Sequence, residues 1–571
     1  MCAVRKLDLV LLWHMHQPDY RDYATGEFRL PWVYLHAIKD YSDMAWHLEH
    51  HAGAKVVVNL APVLLDQLED YADQFSQGKL RDPLLRLFAR DEGEPIGGSD
   101  RVLILERCFH ANRERMIQPF PAYKQLHELF SVLDARGPDS FHHLSDQYFY
   151  DLLTWYHLSW TGETVRRGSE AVTRLMAVGT RFSHSNRLEL LKLIGEIVSG
   201  VIARYAKLAA SGRIELSTTP QHHPLAPLLI SFQSAREADP GVVLPRSPQY
   251  PGGYGRVEAQ LVTAKQEHAR RFGEVPAGVW PAEGAVSSAF LGLLAKHGCK
   301  WTASGGRVLL NSLSHARGQT PDPGRVLYRP YRLRGVADPT LFFRDDRLSD
   351  LIGFEYAKWN SRDAAANLIG ELEAIAANAG DDETPLVSVI LDGENCWEYY
   401  PYNGFYFLEA LYQSLESHPV IRTTTYRDFL AESGGSAETL DHVAAGSWVH
   451  GDFATWIGSP EKNHAWDLLC ETKQSFDLVA ASGRLNEEQV GAGLRQLGAC
   501  EASDWFWWLG DYNPQFAVAS FDRLFRADLG NLYRLLDLPQ PAGFTQPLSH
   551  GAGHPEAGGA MRRAVEPSPG H

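Results

Sequence analysis

Residues 275–287 read VPAGVWPAEGAVS, an apolar run that stops at Pro281 with an acid, Glu283, set at the break. Gly284 permits a tight turn, and residues 288–298, SAFLGLLAKHG, then take up a helical pattern. A buried strand that hands a carboxylate to the turn before a helix is where an α/β barrel sets its chemistry. An acid in a first helical turn is also favoured by the helix dipole alone. A second strand end shifts the balance. Residues 386–400, LVSVILDGENCWEYY, run apolar up to Asp392, and Gly393 again supplies the turn. Two acids so placed point to carboxylate-pair chemistry.

The chain has 571 residues, of which 44% are hydrophobic and 22% charged, as in a globular protein with a large core. A barrel with insertions can occupy most of that length. The formal charge of −16 argues against nucleic acid or an anionic membrane as partner and is compatible with a neutral substrate. Fifteen Trp are distinctive, since aromatic faces stack on the apolar faces of sugar rings. Six scattered Cys, with no CxxC, read as reduced thiols of a cytoplasmic protein. The apolar LDLVLLW after Lys6 contains Asp8 and meets His14 and His16 rather than a cleavage site, so it reads as a first strand.

Seven strands are expected, over 7–13, 55–59, 213–219, 277–280, 300–303, 340–343 and 386–391, with helical segments between most of them. Alternation of this kind implies a parallel sheet, one strand short of an eight-fold barrel. Residues 64–193 show helical periodicity and form an insertion expected to cap or wall the site. A short Thr-rich edge strand is expected near Thr423, closing a barrel domain over 1–430. Residues 431–538 read as a helical C-terminal domain that lends the site a Trp-rich loop. From Pro539 to 571 the chain is rich in Pro, Gly and Ala and is expected to be disordered.

Five polar clusters sit at strand ends: His14, His16 and Gln17; Glu215 with His222 and His223; Trp280 and Glu283; Arg344, Asp345, Asp346 and Asp350; and Asp392 with Glu394. Residues at the carboxyl ends of parallel strands converge in space. Glycoside hydrolysis would use Glu283 and Asp392, one as nucleophile and one to protonate the leaving oxygen. Metal-dependent hydrolysis is the competitor, because HxH places two imidazoles on one strand face. His222 and His223 are adjacent and would point to opposite faces if extended, which disfavours a three-histidine cage. No metal and no cofactor is therefore expected.

His14-Met15-His16-Gln17-Pro18, Gly212-Arg213-Ile214-Glu215-Leu216, Trp280-Pro281-Ala282-Glu283-Gly284 and Leu391-Asp392-Gly393-Glu394-Asn395 with Trp397 resemble four signature regions of glycoside hydrolase family 57. The loop 446–466 resembles the fifth. The resemblance covers residues 7–538. It implies an α-glucan-active enzyme with retention of configuration, on an incomplete (β/α)7 barrel followed by helices. It implies Glu283 as nucleophile and Asp392 as general acid/base. His14, His16, Glu215 and Trp280 match substrate-contacting positions, and Trp448 and Trp456 match aromatic positions of the fifth region. The texture of the regions is most similar to α-amylase and amylopullulanase-type members.

Glu394, two residues after Asp392, either raises the proton affinity of Asp392 or serves as a structural carboxylate. Arg344, Asp346 and Asp350 are expected to frame the site, with Asp350 and Trp397 also contacting substrate. The expected activity is cleavage of α-1,4 and perhaps α-1,6 bonds in starch- or glycogen-like glucans or maltooligosaccharides. The alternatives are 4-α-glucan transfer or branching and, further off, metal-dependent hydrolysis or non-catalytic glucan binding.

Overall fold

The computed structural model describes residues 6–564, except 92, 319 and 381–383. Among the described residues ten strands occur in chain order: β1 (Leu7–Met15), β2 (Val56–Leu60), β3 (Ile214–Ser217), β4 (Gly278–Val279), β5 (Trp301–Gly305), β6 (Tyr331–Leu333), β7 (Thr340–Arg344), β8 (Leu386–Asp392), β9 (Ile421–Thr423) and β10 (Glu438–Leu440). Seven of them lie side by side and parallel, in the order β3-β2-β1-β8-β7-β5-β4. The ring closes where Thr218 bridges Val279 and the Trp280 N–H donates to the Thr218 carbonyl at 3.0 Å. The result is an incomplete (β/α)7 barrel, as the strand count implied. β6, β9 and β10 are short additions outside the ring, and β9 is the edge strand expected near Thr423.

Period-2 alternation sorts the strand residues into two cores. Val10 and Leu12 of β1, Val57, Trp301, Ala303, Phe342, Leu386 and Ile390 fill the barrel interior. Their neighbours Leu9, Leu11, Trp13, Val387, Val389 and Leu391 face outward into the helical shell. Continued by two residues, the inward rows end in His14 on β1, Asn59 on β2, Arg344 on β7 and Asp392 on β8. Register aligns His14 with both Asn59 and Asp392, so three polar side chains meet at one rim. β4 is only two residues long because Pro276 and Pro281 flank it and offer no N–H to a ladder. Its Gly278 is required by packing, since a Cβ there would sit 1.8 Å from the Trp301 indole.

Between β2 and β3 the described residues form only helical segments, from Pro62–Gln77 to His184–Ala210. The last is started by a capping box at Ser183 and Asn186, and the turn after it contains Gly212 with φ 73°. After β10 come the helices Pro460–Ala481, Glu487–Cys500, Ser503–Trp508 and Gln515–Leu535. Cys108, Cys299, Cys396, Cys470 and Cys500 are buried and not disulfide-bonded. No helix among the described residues is long and apolar enough to cross a membrane.

The expectation of a disordered segment from Pro539 is corrected over 539–564. Phe544, Met561 and Ala564 are buried, and two short 3₁₀ turns, Ala542–Thr545 and Glu556–Gly559, shape the path. The composition misled because this segment is held through its backbone. Ala552 and Gly553 donate to the Asp511 and Asn513 carbonyls at 2.9 and 3.1 Å, and the Trp507 indole donates to the Gly559 carbonyl at 2.8 Å. A Cβ on Gly553 would lie 1.8 Å from the Tyr512 carbonyl oxygen, so a glycine is what lets the two backbones approach. Residues 565–571 lie outside the described residues.

Candidate active site

Glu283 sits in the 3₁₀ turn Ala282–Gly284 just past β4, with φ 58° and ψ 22°. This left-handed backbone costs a non-glycine residue on the order of 1 kcal/mol and persists only where the surroundings impose it. Here the Trp448 N–H donates to the Glu283 carbonyl at 3.0 Å, and Ser304 Oγ donates to the Gly284 carbonyl at 2.6 Å. The side chain is held as firmly. Ser503 Oγ donates to Glu283 Oε1 at 2.9 Å, and the Trp448 indole donates to Oε2 at 3.2 Å. Trp448 is itself wedged against Trp280, with ring centroids 5.3 Å apart, and lies under the Arg344 guanidinium.

Asp392 ends β8. The Asn395 amide donates to its Oδ2 at 2.8 Å, and the next residue's N–H donates to the His14 carbonyl at 2.6 Å, locking the turn to β1. A Cβ on Gly393 would lie 2.9 Å from the Met15 side chain, so that approach needs glycine. The Trp397 indole donates to the Gly393 carbonyl at 2.9 Å and backs the turn from below.

The histidines form a row across the floor. His14 Nδ1 is 2.7 Å from Asn59 Oδ1, His14 Nε2 is 3.0 Å from His223 Nε2, and His223 Nδ1 is 2.9 Å from Ser503 Oγ. The row therefore runs unbroken from β2 to Glu283. His16 stacks on His223 at 3.7 Å between centroids, and its Nε2 is 2.9 Å from Asp504. The argument from adjacency of His222 and His223 is corrected here. His223 has φ 58°, and that left-handed turn carries it into the site while His222 packs against Gly498. His16, His223 and Asp504 each offer a ligand atom within a span of 4.8 Å, a donor set able to hold a divalent cation or to hydrogen-bond sugar hydroxyls.

Burial dominates the electrostatics. It raises the Glu283 carboxyl to about 8, helped by the charges of Asp504 and Asp392 and opposed by the bonds from Ser503 and Trp448. It raises Asp392 to about 6 against the Asn395 bond and the cationic influence of His16 and Arg344. Burial also lowers His14 to about 3 and His223 well below the usual value, so both are neutral donors and acceptors at pH 7. Glu283, Asp392, the histidines and Asp504 share one cavity of about 430 Å³. Its walls are aromatic, with Trp32, Trp160, Trp507, Trp508, Phe516, Tyr399 and Phe109 among the lining side chains. Residues 557, 558 and 560 complete the rim.

A family model described as glycosyl hydrolase family 57 matches residues 10–439, most of the chain. The chain belongs to glycosyl hydrolase family 57. It is thereby a glycosidic enzyme acting on α-glucans. A search of curated protein sequences finds no match. Among solved structures, the fold is similar to a family-57 branching enzyme from Thermococcus kodakaraensis, with TM-score 0.55, 16% identity, and 93% and 90% of the two chains covered. It is also similar to an α-amylase from Thermotoga maritima, with TM-score 0.53, 12% identity, and 93% of each chain covered. A third likeness is to a 4-α-glucanotransferase from Thermococcus litoralis, with TM-score 0.50, 14% identity, and 93% of this chain and 60% of that one covered.

Of the residues singled out from the sequence, Glu283, Asp392, His14, His16, Gln17, His223, Glu394 and Trp448 line the cavity of this family-57 enzyme. The others do not. Glu215 is the second residue of β3, two below the level of His14. It takes the Trp301 indole at 2.7 Å and the Arg427 N–H at 2.9 Å near the opposite end of the barrel. Both oxygens of Asp350 are occupied, one by Arg344 and one by the Ala564 N–H. Trp280 lies beneath the site, 6.3 Å from His14, while Trp397 and Trp456 stand behind it, the latter 5.7 Å from Trp507. Arg344 and Asp346 form the ionic frame that was expected. Glu394 feels the charge of Asp392 and also has the contacts of a structural carboxylate. Its Oε1 accepts from the His16 N–H, Gln17 and Tyr41, and it fixes the chain after β1. Ser503, Asp504, Trp507 and Trp508 were missed, although the run SDWFWW carries the signal. In the helix Ser503–Trp508 these four face the site while Trp505 and Phe506 enter the helical core.

Proposed function

We propose that this enzyme cleaves α-1,4-glucosidic bonds in starch- or glycogen-like glucans, with α-1,6 bonds as a further target, by a retaining double displacement. The observation that carries the reading is the pair Glu283 and Asp392. They are a buried and a half-buried carboxyl at the ends of two barrel strands, facing one aromatic-walled cavity. In this reading Glu283 attacks the anomeric carbon from an orientation set by Ser503 and Trp448. Asp392 protonates the leaving oxygen and later takes a proton from water. Neutral His14 and His223, with His16 and Asp504, bind the hydroxyls of the sugar at the point of cleavage. Trp507, Trp508, Trp32 and Trp160 stack on the sugars beyond it. The buried, unbridged thiols support a cytoplasmic location.

Burial, helped by the charges of Asp504 and Asp392, holds the higher proton affinity on Glu283, so these roles require the shared proton to pass to Asp392 as substrate enters. The apparent values belong to the pair. Below about 6 both carboxyls are protonated and no nucleophile remains; above about 8 both are ionised and no acid remains. The one-proton form is active, so kcat/KM should trace a bell with limbs near those values. Asp504→Asn removes a charge that raises Glu283, and its alkaline limb should move down. An alkaline limb that stays in place in the variant would reject this assignment of the charges.

Incubation with maltooligosaccharides and resolution of the products tests the reaction itself. Shorter products alone are expected. A ladder of longer ones would assign 4-α-glucan transfer or branching, a reading favoured by the aromatic wall, which excludes water and offers stacking to an acceptor sugar. No change at all would reduce the protein to a glucan binder.

A further inference from the structure

A second cluster of metal-ligating side chains lies outside the catalytic cavity. His47, in the helix Ser42–His50, and His51, which caps it, are four residues apart and share one face of that helix. Opposite them stands the helix Phe405–Leu415 with Glu409, followed by its cap Glu416. His51 Nε2 lies 3.1 Å from Glu409 Oε2, and His47 Nδ1 lies 3.6 Å from the same oxygen. None of these residues lines the cavity that holds Glu283 and Asp392.

Three features separate this cluster from ordinary ion pairs. Among the described residues neither nitrogen of His47 has a hydrogen-bond partner within 3.5 Å, its nearest carboxylate oxygen being that of Glu409 at 3.6 Å, although the side chain is completely buried. A buried imidazole left in that state destabilises the fold unless something else engages it. Secondly, the spacing suits a metal: with bonds of about 2.0–2.1 Å, neighbouring ligand atoms of a tetrahedral zinc stand about 3.3 Å apart. The two observed separations, 3.1 and 3.6 Å, bracket that value. Thirdly, the outer support is present. His51 Nδ1 faces Glu416 Oε2 at 3.2 Å, and the other oxygen of Glu416 accepts from the Gly53 N–H at 3.1 Å. A carboxylate on the far nitrogen is what orients a ligating histidine and raises its basicity. Phe405 and Tyr412 pack on the imidazoles at 5.3 and 5.7 Å and keep the surroundings apolar.

We propose that His47, His51 and Glu409 bind one divalent cation of the zinc class, with water as fourth ligand and Glu416 orienting His51. Two imidazoles and one carboxylate suit zinc rather than magnesium or calcium, which favour all-oxygen sites. Glu409 is 39% exposed, which gives the ion an entry path and room for the water. The ion would clip the helix between β1 and β2 to the helix that follows β8. The second of these helices is tied to β1, the strand that carries His14 into the cavity, by the Trp13 indole donating to the Tyr412 hydroxyl at 3.0 Å. Its role is structural, and no step of the glycosidic reaction passes through it.

The test uses full-length protein without a polyhistidine tag, stripped by chelation and titrated with Zn²⁺ and, separately, Co²⁺. One equivalent should bind, with the intense visible absorption of four-coordinate cobalt, and zinc should raise the melting temperature. Glu409→Gln and His51→Asn should each weaken binding at least tenfold and lose the thermal shift, and Glu416→Gln should weaken it by about 10–100-fold. Because Glu409 is partly exposed, Glu409→Gln is expected to fold, which its melting curve without metal checks. Asp504→Asn, in the other donor set, should bind as the parent does. Absence of binding to the parent would overturn the proposal. So would binding that survives both Glu409→Gln and His51→Asn, or binding that disappears with Asp504→Asn.

Discussion

Replacing Glu283 with alanine is expected to abolish turnover on every glucan, by about 10⁴-fold or more, because no covalent glycosyl intermediate can form. The loss should be in kcat, since the stacking and hydrogen-bonding groups that bind substrate stay in place. Asp392→Ala should fall as far on natural glucans but be gentler on an activated aryl α-glucoside, whose leaving group departs without a proton, provided the cavity accepts one. Azide then separates the roles. In the Asp392 variant it should attack the intermediate without base help and give an α-glycosyl azide of retained configuration. In the Glu283 variant it can only replace the nucleophile, so the product should carry the opposite configuration. NMR of the product anomer reads the difference. The reverse pattern would exchange the two roles, which is a sharp test because burial and the Asp504 and Asp392 charges give Glu283 the greater proton affinity. Near-native activity in both variants would reject the carboxylate pair.

Truncation after Leu538 is expected to cost several degrees in melting temperature and at least tenfold in kcat/KM. The removed segment makes contacts that reach the site from behind. Without Ala564, the Asp350 carboxylate loses its backbone donor beside Arg344, the cation that lies over Trp448. Without Gly559 the buried Trp507 indole has no acceptor, and without Arg562 the guanidinium stacked on Tyr512 at 3.8 Å is gone. That guanidinium also feels the charge of Glu283. Leaving buried polar groups unpartnered costs about 1–3 kcal/mol each, so two or three such losses are enough for the effect. Differential scanning calorimetry and a kcat/KM measurement on the truncated chain check it. Unchanged values for both would show that these contacts carry no weight.

The barrel was legible in the sequence because its signal is local. Apolar runs such as LVSVILD and LDLVLLW are buried on both faces, and a turn glycine and an acid mark the carboxyl end of two of the seven strands. Glu283, Asp392, His14 and His16 could be named for the same reason, since each stands at a strand end and strand ends converge on one rim. Glu215 looked equivalent, but β3 is only four residues long, and a shift of two along a strand moves a side chain from the rim into the barrel interior. Strand length is set by the partners on each side, which no single segment reveals.

The rest was decided by tertiary structure. His223 enters the site through one left-handed residue, and a single backbone angle leaves no periodic trace. Ser503 and Asp504 reach Glu283 and His16 across more than two hundred residues of chain, on a six-residue helix whose two faces are both aromatic. The segment 539–564 is ordered by backbone hydrogen bonds to residues far upstream, and its Gly- and Ala-rich composition is what permits that close approach rather than a sign of disorder. Local sequence thus determined which strands form the barrel and which acids crown it. Only the folded chain determined which groups surround those acids, because burial, charge and hydrogen-bond partners arise from residues that are neighbours in space and strangers in sequence.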